Sequence, residues 1–135
     1  CNWNANGHRI PTEQEWEYCA RANESFKYSG GDILSEVGWY DGNSGDETKS
    51  VGLKKPNGFG LYDMSGNVYE WVWDWYGSYS SDNQTYLSGP FGRSTRTRRG
   101  GGWCSIARDT RVSFRDGVSP VGCGDFLGFR IMRIV

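Results

Sequence analysis

Histidine is nearly missing from this chain: His8 is the only one among 135 residues. With no second imidazole there is no histidine metal cage, and His8, placed before the first helix, has no partner block for general-base or nucleophilic work. It reads as a surface residue. Net charge is also nearly missing, at −1, and acids and bases alternate except in the run Arg93-Ser-Thr-Arg-Thr-Arg-Arg99. That balance argues against a nucleic-acid or anionic-membrane partner. The basic run lacks interleaved stacking aromatics, so it reads as a solvated loop leading into a strand. No apolar stretch approaches the roughly 20 residues a membrane-crossing helix needs, and no leader pattern stands at the beginning. Cysteine is sparse. Cys1, Cys19, Cys104 and Cys123 show none of the C-x-x-C spacings of zinc or thioredoxin-like sites, and their pairing as disulfides is not readable from sequence.

Glycine and aromatics are abundant instead: 20 Gly, 7 Trp, 8 Tyr and 6 Phe against 4 Pro. Such a composition implies many tight turns and large flat side chains rather than a helical bundle. Length predicts one domain over 1–135. The spacing Thr12-x-x-Glu15 is a capping box and predicts a short helix from Pro11 with a stop near Asn23. Trp16, Cys19 and Ala20, at i, i+3 and i+4, give that helix one apolar face for the core. Residues 30–60 read as loop, a length that needs bound ions or a function to tie it down. Trp71, Trp73 and Trp75 alternate with Val72, Asp74 and Tyr76 in the period of a strand, which predicts the indoles on the core face. After a polar excursion from Gly77 to Pro90, further strands are expected at Arg98–Trp103, Ser113–Arg115 and Phe129–Ile134. The sum is an α+β fold.

Ordered blocks then carry a resemblance. Arg9-Ile-Pro-Thr-Glu-Gln-Glu-Trp-Glu-Tyr18, Lys55 through Trp71 (KPNGFGLYDMSGNVYEW), Arg99-Gly-Gly-Gly-Trp103 and Gly128-Phe-Arg130 resemble the landmarks of the formylglycine-generating-enzyme (sulfatase-modifying factor) family. The resemblance implies a variant of the C-type lectin fold, of which this chain looks like the C-terminal part, with Cys1-Asn-Trp3 similar to the end of a family helix. Cys1 could also be the first residue of a processed bacterial lipoprotein, so a lipid anchor on a full-length protein is a second expectation.

Catalytic members of the family use a pair of cysteines just after the Gly-Gly-aromatic block to bind copper and oxidise a substrate cysteine. Here that block is followed by Cys104 alone, with no further thiol until Cys123, and thiolate copper chemistry needs both sulfurs in reach. The resemblance also implies structural calcium at Asp63, Gly66, Val68 and Glu70, carboxylates with main-chain carbonyls between them. The family's other calcium site has no counterpart at Asp41 to Asp46. Sugar binding has little support, because no E-P-N or Q-P-D tripeptide occurs.

Between the Gly-Gly-Gly-Trp103 and Gly128-Phe-Arg130 blocks the residues follow no period. This arrangement resembles the variable proteins of diversity-generating retroelements, in which adenine randomisation of AAC codons yields NNC codons that cannot encode Lys, Glu, Gln, Met or Trp. None of those residues occurs from Cys104 to Leu127. The expectation is a variable ligand-binding region over 103–130 with Cys104, Ser105, Ile106, Asp109, Phe114, Asp116, Gly117, Val118, Asp125 and Phe126 facing outward. Ala107, Arg108, Arg111, Val112, Ser113 and Arg115 would hold the backbone, and Trp103 and Phe129 would plug the core. The function implied is non-enzymatic binding of a protein or cell-surface ligand, on a bacterial surface or secreted. The alternative is a formylglycine-generating oxidase or a degenerate relative.

Overall fold

The computed structural model describes residues 7–79 and 94–133. Cys1-Asn-Trp3, most of the Gly77–Pro90 excursion, Arg93 and Ile134 lie outside the described residues. Helix α1 (Glu13–Arg21) begins where the capping box placed it: the Glu15 amide donates to the Thr12 hydroxyl and the Thr12 amide donates to the Glu15 carboxylate. It ends on two left-handed residues, Ala22 (φ 49°) and Asn23 (φ 61°), one residue earlier than expected. A single turn, α2 (Leu34–Val37), interrupts the expected loop.

Strands β2 (Tyr69–Trp75), β3 (Arg96–Arg99), β4 (Asp116–Val118) and β5 (Leu127–Phe129) form a sheet in the order β4-β3-β2-β5. β2 and β3 are antiparallel with Glu70 opposite Arg99, while β2 and β5 are parallel with Trp71 opposite Phe129. A small separate pair joins β1 (His8–Arg9) to β6 (Met132–Arg133). The α+β expectation holds, with strands shorter than predicted. The third lies at Asp116–Val118 rather than Ser113–Arg115.

The faces of the sheet overturn one prediction. Helix α1 packs on the Glu70, Val72 and Asp74 side of β2, not on the indoles. Trp16, Ala20, Met64, Val72 and Val112 form the core cluster there, while Trp71, Trp73 and Trp75 are only half-buried on the opposite face. The acids on the inner face are the reason it can be buried, since each is consumed by a specific donor. Glu70 accepts from the Trp16 indole at 2.6 Å, and Asp74 accepts from the first helical amide, Glu13, at 2.6 Å. Asp74 thereby caps α1 from another element. Burial raises its carboxyl pKa, and the Glu13 amide works against that.

The basic run leads into a strand as expected, with β3 starting at Arg96 after exposed Ser94 and half-buried Thr95 outside regular structure. Alternation along β3 sends Thr97 and Arg99 inward, both fully buried, and Arg96 and Arg98 to the indole face. The Arg99 guanidinium donates to Glu13 at 3.2 Å, to Glu17, and to the Val112 carbonyl at 2.8 Å. Side-chain amides hold the long loop. Asn57 donates to the Cys19 carbonyl and accepts from Phe59 and Leu61, and Asn67 exchanges a pair of bonds with the Lys49 backbone.

Candidate ligand-binding surface

The segment after β3 starts with a turn that only glycine allows. Gly100 and Gly101 have φ of 90° and 74°, and a Cβ on Gly101 would lie 2.7 Å from the Thr110 methyl. An L side chain would meet both backbone strain and collision there. The tight turn lets the Trp103 amide reach the Asn67 carbonyl at 2.7 Å and the Gly66 amide reach the Gly100 carbonyl at 2.7 Å. From this base the chain runs through a 3-10 turn, Ala107–Thr110, into β4.

What holds the segment is charge and burial. Arg115 donates to both oxygens of Glu13 at 2.5 Å and to the Gly77 carbonyl at 2.6 Å. Glu13 is thus shared by Arg99 and Arg115, so a single buried carboxylate at the α1 N-terminus anchors both β3 and the approach to β4. Val112 is buried in the core, its amide donates to the Lys27 carbonyl, and Ala107 packs on the Tyr28, Leu34 and Val37 cluster. Ala107, Val112 and Arg115 therefore act as the expected frame. Arg111 donates to the Arg108 carbonyl of the same turn, and Arg108 and Ser113 are exposed, so Arg108 and Ser113 belong to the surface.

Of the residues expected outside, Cys104, Ile106 and Asp125 are exposed, while Asp109, Phe114, Asp116, Val118 and Phe126 are half-buried. Asp109 pairs with Arg108 and Asp116 with Arg98, whose guanidinium lies 4.0 Å from the Tyr69 ring centre. Ser105 is a correction. It is buried, its hydroxyl accepts from the Gly102 amide at 2.9 Å, and its carbonyl accepts from the Asp41 amide at 3.1 Å. Gly117 is a second correction: a Cβ there would sit 2.5 Å from the Tyr76 ring root, so side chains are excluded without moving the ring. Phe129 is a third, since it is 68% exposed and plugs nothing. Val121, 87% exposed at the tip between β4 and β5, was missed because composition carries no signal for which apolar residue lies at a loop tip.

The calcium expectation meets a guanidinium. Arg130 donates to both oxygens of Glu70 at 2.6 Å, and the Trp16 indole donates to one of them. Burial opposes the Arg130 charge, but Glu70 outweighs it and raises the Arg130 pKa. Asp63 accepts from the Gly52 amide through one oxygen and keeps the other buried without a partner. Among the described residues no three or more His, Cys, Asp or Glu converge as a metal site. The donor set at Asp63, Gly66, Val68 and Glu70 does not fit a hard cation that needs six or more oxygens, because the Glu70 carboxylate is already neutralised by Arg130.

Thiol chemistry finds no second sulfur in the segment's base. Cys104 and Cys123 are exposed and free, and Cys19 is half-buried on α1, where burial raises its pKa. No described helix is long and apolar enough to cross a membrane.

The fold is shared with known proteins. Treponema denticola variable protein 1 superposes with a TM-score of 0.88 at 42% identity, over 95% of this chain and 48% of that one. Chaperone protein LppX of Paenibacillus barcinonensis is 35% identical over 98% of this chain and 51% of its own length. The formylglycine-generating enzyme of Streptomyces coelicolor is 35% identical over 92% of this chain and 46% of its length. The chain thus spans about half the length of these relatives. Its architecture is the C-type lectin-like variant of the formylglycine-generating enzymes. Residues 1–135 match the sulfatase-modifying factor enzyme 1-like domain throughout, and the chain belongs to that family.

Proposed function

We propose that this chain is a non-enzymatic display domain whose 103–130 segment binds a protein or cell-surface ligand and is diversified by a retroelement. One observation carries the reading: the segment's backbone is pinned by the buried Ser105 and Val112 and by the Arg115 pair with buried Glu13, while Cys104, Ile106, Asp109, Phe114, Asp116, Val118, Asp125 and Phe126 reach its surface wholly or in part. A fixed backbone with replaceable tips presents new contacts without new folding problems. The apolar tips Ile106, Phe114, Val118 and Phe126 among polar neighbours have the composition of a protein-binding patch. The likeness to a variable protein supports the same reading. A bacterial surface or secreted location accompanies it.

Sequencing the gene from several strains tests the proposal. Substitutions crowded into codons for the surface tips, sparing Ser105 and Gly117, are expected; an even spread along 1–135 would refute it. The oxidase alternative draws on the family's enzymes, and predicts aldehyde when the protein is incubated with copper and a cysteine-bearing sulfatase peptide. No aldehyde is expected here, because Cys104 has no partner thiol in its turn.

A further inference from the structure

Strand β3 brings one cation to the edge of the display surface from outside the segment. Register sets Arg98 of β3 directly opposite Asp116 of β4, so whatever stands at 116 projects beside the Arg98 guanidinium. The pairing is lopsided. Nε and Nη2 of Arg98 both donate to the single oxygen Oδ2 of Asp116, at 3.0 Å and 2.6 Å, while Oδ1 accepts from the Gly117 amide at 2.8 Å. The side edge of the guanidinium is thereby used, and the end edge, Nη1 with the second proton of Nη2, has no acceptor among the described residues. Nη1 is not closed off from solvent, unlike Nε of Arg99, which is buried without a partner.

Two rings hold the plane of this fork independently of Asp116. The guanidinium carbon lies 4.0 Å from the centre of the buried Tyr69 ring and 5.7 Å from that of Phe126. The Arg98 side chain keeps 15% of its surface against 36% for Asp116. The cation is thus mostly desolvated, where a charge-assisted bond is worth more than in open water, and the acid that answers it is the more exposed partner. Asp109, the other segment acid whose charge acts on Tyr69 beside Asp116, is committed to Arg108. We infer that Arg98 is a constant anion receptor in the floor of the display surface, that its open edge takes a carboxylate of an acidic protein ligand, and that the residue at 116 sets how strongly. Asp116 holds the receptor half-neutralised, and a neutral side chain there leaves the full charge for the ligand. The inference rests on the display reading, which makes 116 replaceable, whereas Arg98 precedes the 103–130 segment and stays. Variation at one site thereby changes the preferred ligand charge without touching the cation or the ring beneath it.

Binding of a fluorescein-labelled Asp-rich peptide tests this, with an Asn-rich peptide of equal length as control, at low ionic strength because salt screens partly exposed charges. Asp116→Asn is the informative change, since its amide oxygen can still accept from Gly117 and β4 keeps its pairing. It is expected to bind the acidic peptide about tenfold more tightly than the unmodified chain, the scale of a charge-assisted bond released to the ligand, and the control peptide no more tightly. Asp125→Asn makes the same change of net charge at an exposed position of the same segment and should give no comparable gain. Adding Arg98→Met to Asp116→Asn should abolish the gain, and adding Arg98→Lys should abolish most of it, because an ammonium has no planar fork. Far-UV circular dichroism checks each fold, and where the Met variant does not fold the Lys variant decides. Three results would overturn the inference: no gain in folded Asp116→Asn, an equal gain in Asp125→Asn, or a gain undiminished in a folded double variant. Strain sequencing reads the display proposal separately. An even spread of substitutions together with the tenfold gain would refute display and keep the receptor, whereas crowded substitutions without the gain would refute the receptor alone.

Discussion

The core under α1 and the outer rim of the 104–126 segment are stabilised by opposite means. Under α1 the packing is apolar, but its specificity comes from two buried carboxylates: Glu13 is shared by Arg99 and Arg115, and Glu70 is paired with Arg130. At the outer rim of the 104–126 segment the side-chain contacts are partly exposed pairs, such as Asp116 with Arg98 and Asp109 with Arg108, while Val112 and Arg115 tie its base to the core. Buried pairs fix geometry because breaking one leaves an uncompensated charge, whereas exposed pairs exchange readily with water.

Removing the Arg99 guanidinium would break this contrast most strongly. Arg99→Met leaves Glu13 and Glu17 facing each other without their shared cation, and a loss of about 3–5 kcal/mol is expected by urea unfolding. Ser105→Ala separates frame from surface inside the segment itself. It leaves the buried Gly102 amide without an acceptor and should cost about 1–2 kcal/mol, whereas replacement of the exposed neighbours Cys104 and Ile106 should cost less. Glu15→Gln sharpens the contribution of the α1 cap. The Arg9 guanidinium, with bonds from Thr12, holds the Glu15 carboxyl at about 2 against an ordinary 4.5. The folded-state value is depressed, so the stability it supplies is present above pH 4.5 and is lost as pH falls from there toward 2. The substitution should cost about 0.5–1 kcal/mol at neutral pH, since the pair is partly solvated, and should flatten the acid limb of a stability-against-pH curve.

Ile106→Ser and Asp125→Ser should change unfolding free energy by less than about 0.5 kcal/mol, while altering binding to any ligand selected on this surface. Calcium sits at the bottom of the scale. Adding it, or a chelator, should move the melting temperature by less than about 1 °C, because a ligand stabilises only to the extent that the native state binds it. A rise of several degrees that Glu70→Gln abolishes would show instead that the cation displaces Arg130.

Local signals were legible where the interaction is local. The Thr12 and Glu15 capping box specifies α1 because both partners lie within one turn, and Trp16 and Ala20 specify its buried face through the helical period. Strand β2 was legible as alternation, but alternation names two faces without saying which one meets the helix. The indoles lost that competition because Glu70 and Asp74 found exact donors in Trp16 and the α1 amide. Ser105 and Gly117 were misplaced for a similar reason: each is small and polar or featureless in sequence, and what excludes it from the surface is a contact with a residue distant in the chain, Asp41 or Tyr76.

The sequence by itself determined the family, the helix with its cap, and the unpatterned segment between two glycine-marked blocks, since these depend on neighbours a few residues apart. Only the tertiary structure decided which face of the sheet is core, that Arg130 pairs with Glu70, and which tips of the segment point outward. Those outcomes depend on where a charge or a ring finds its partner across the fold, and no spacing along the chain encodes that distance.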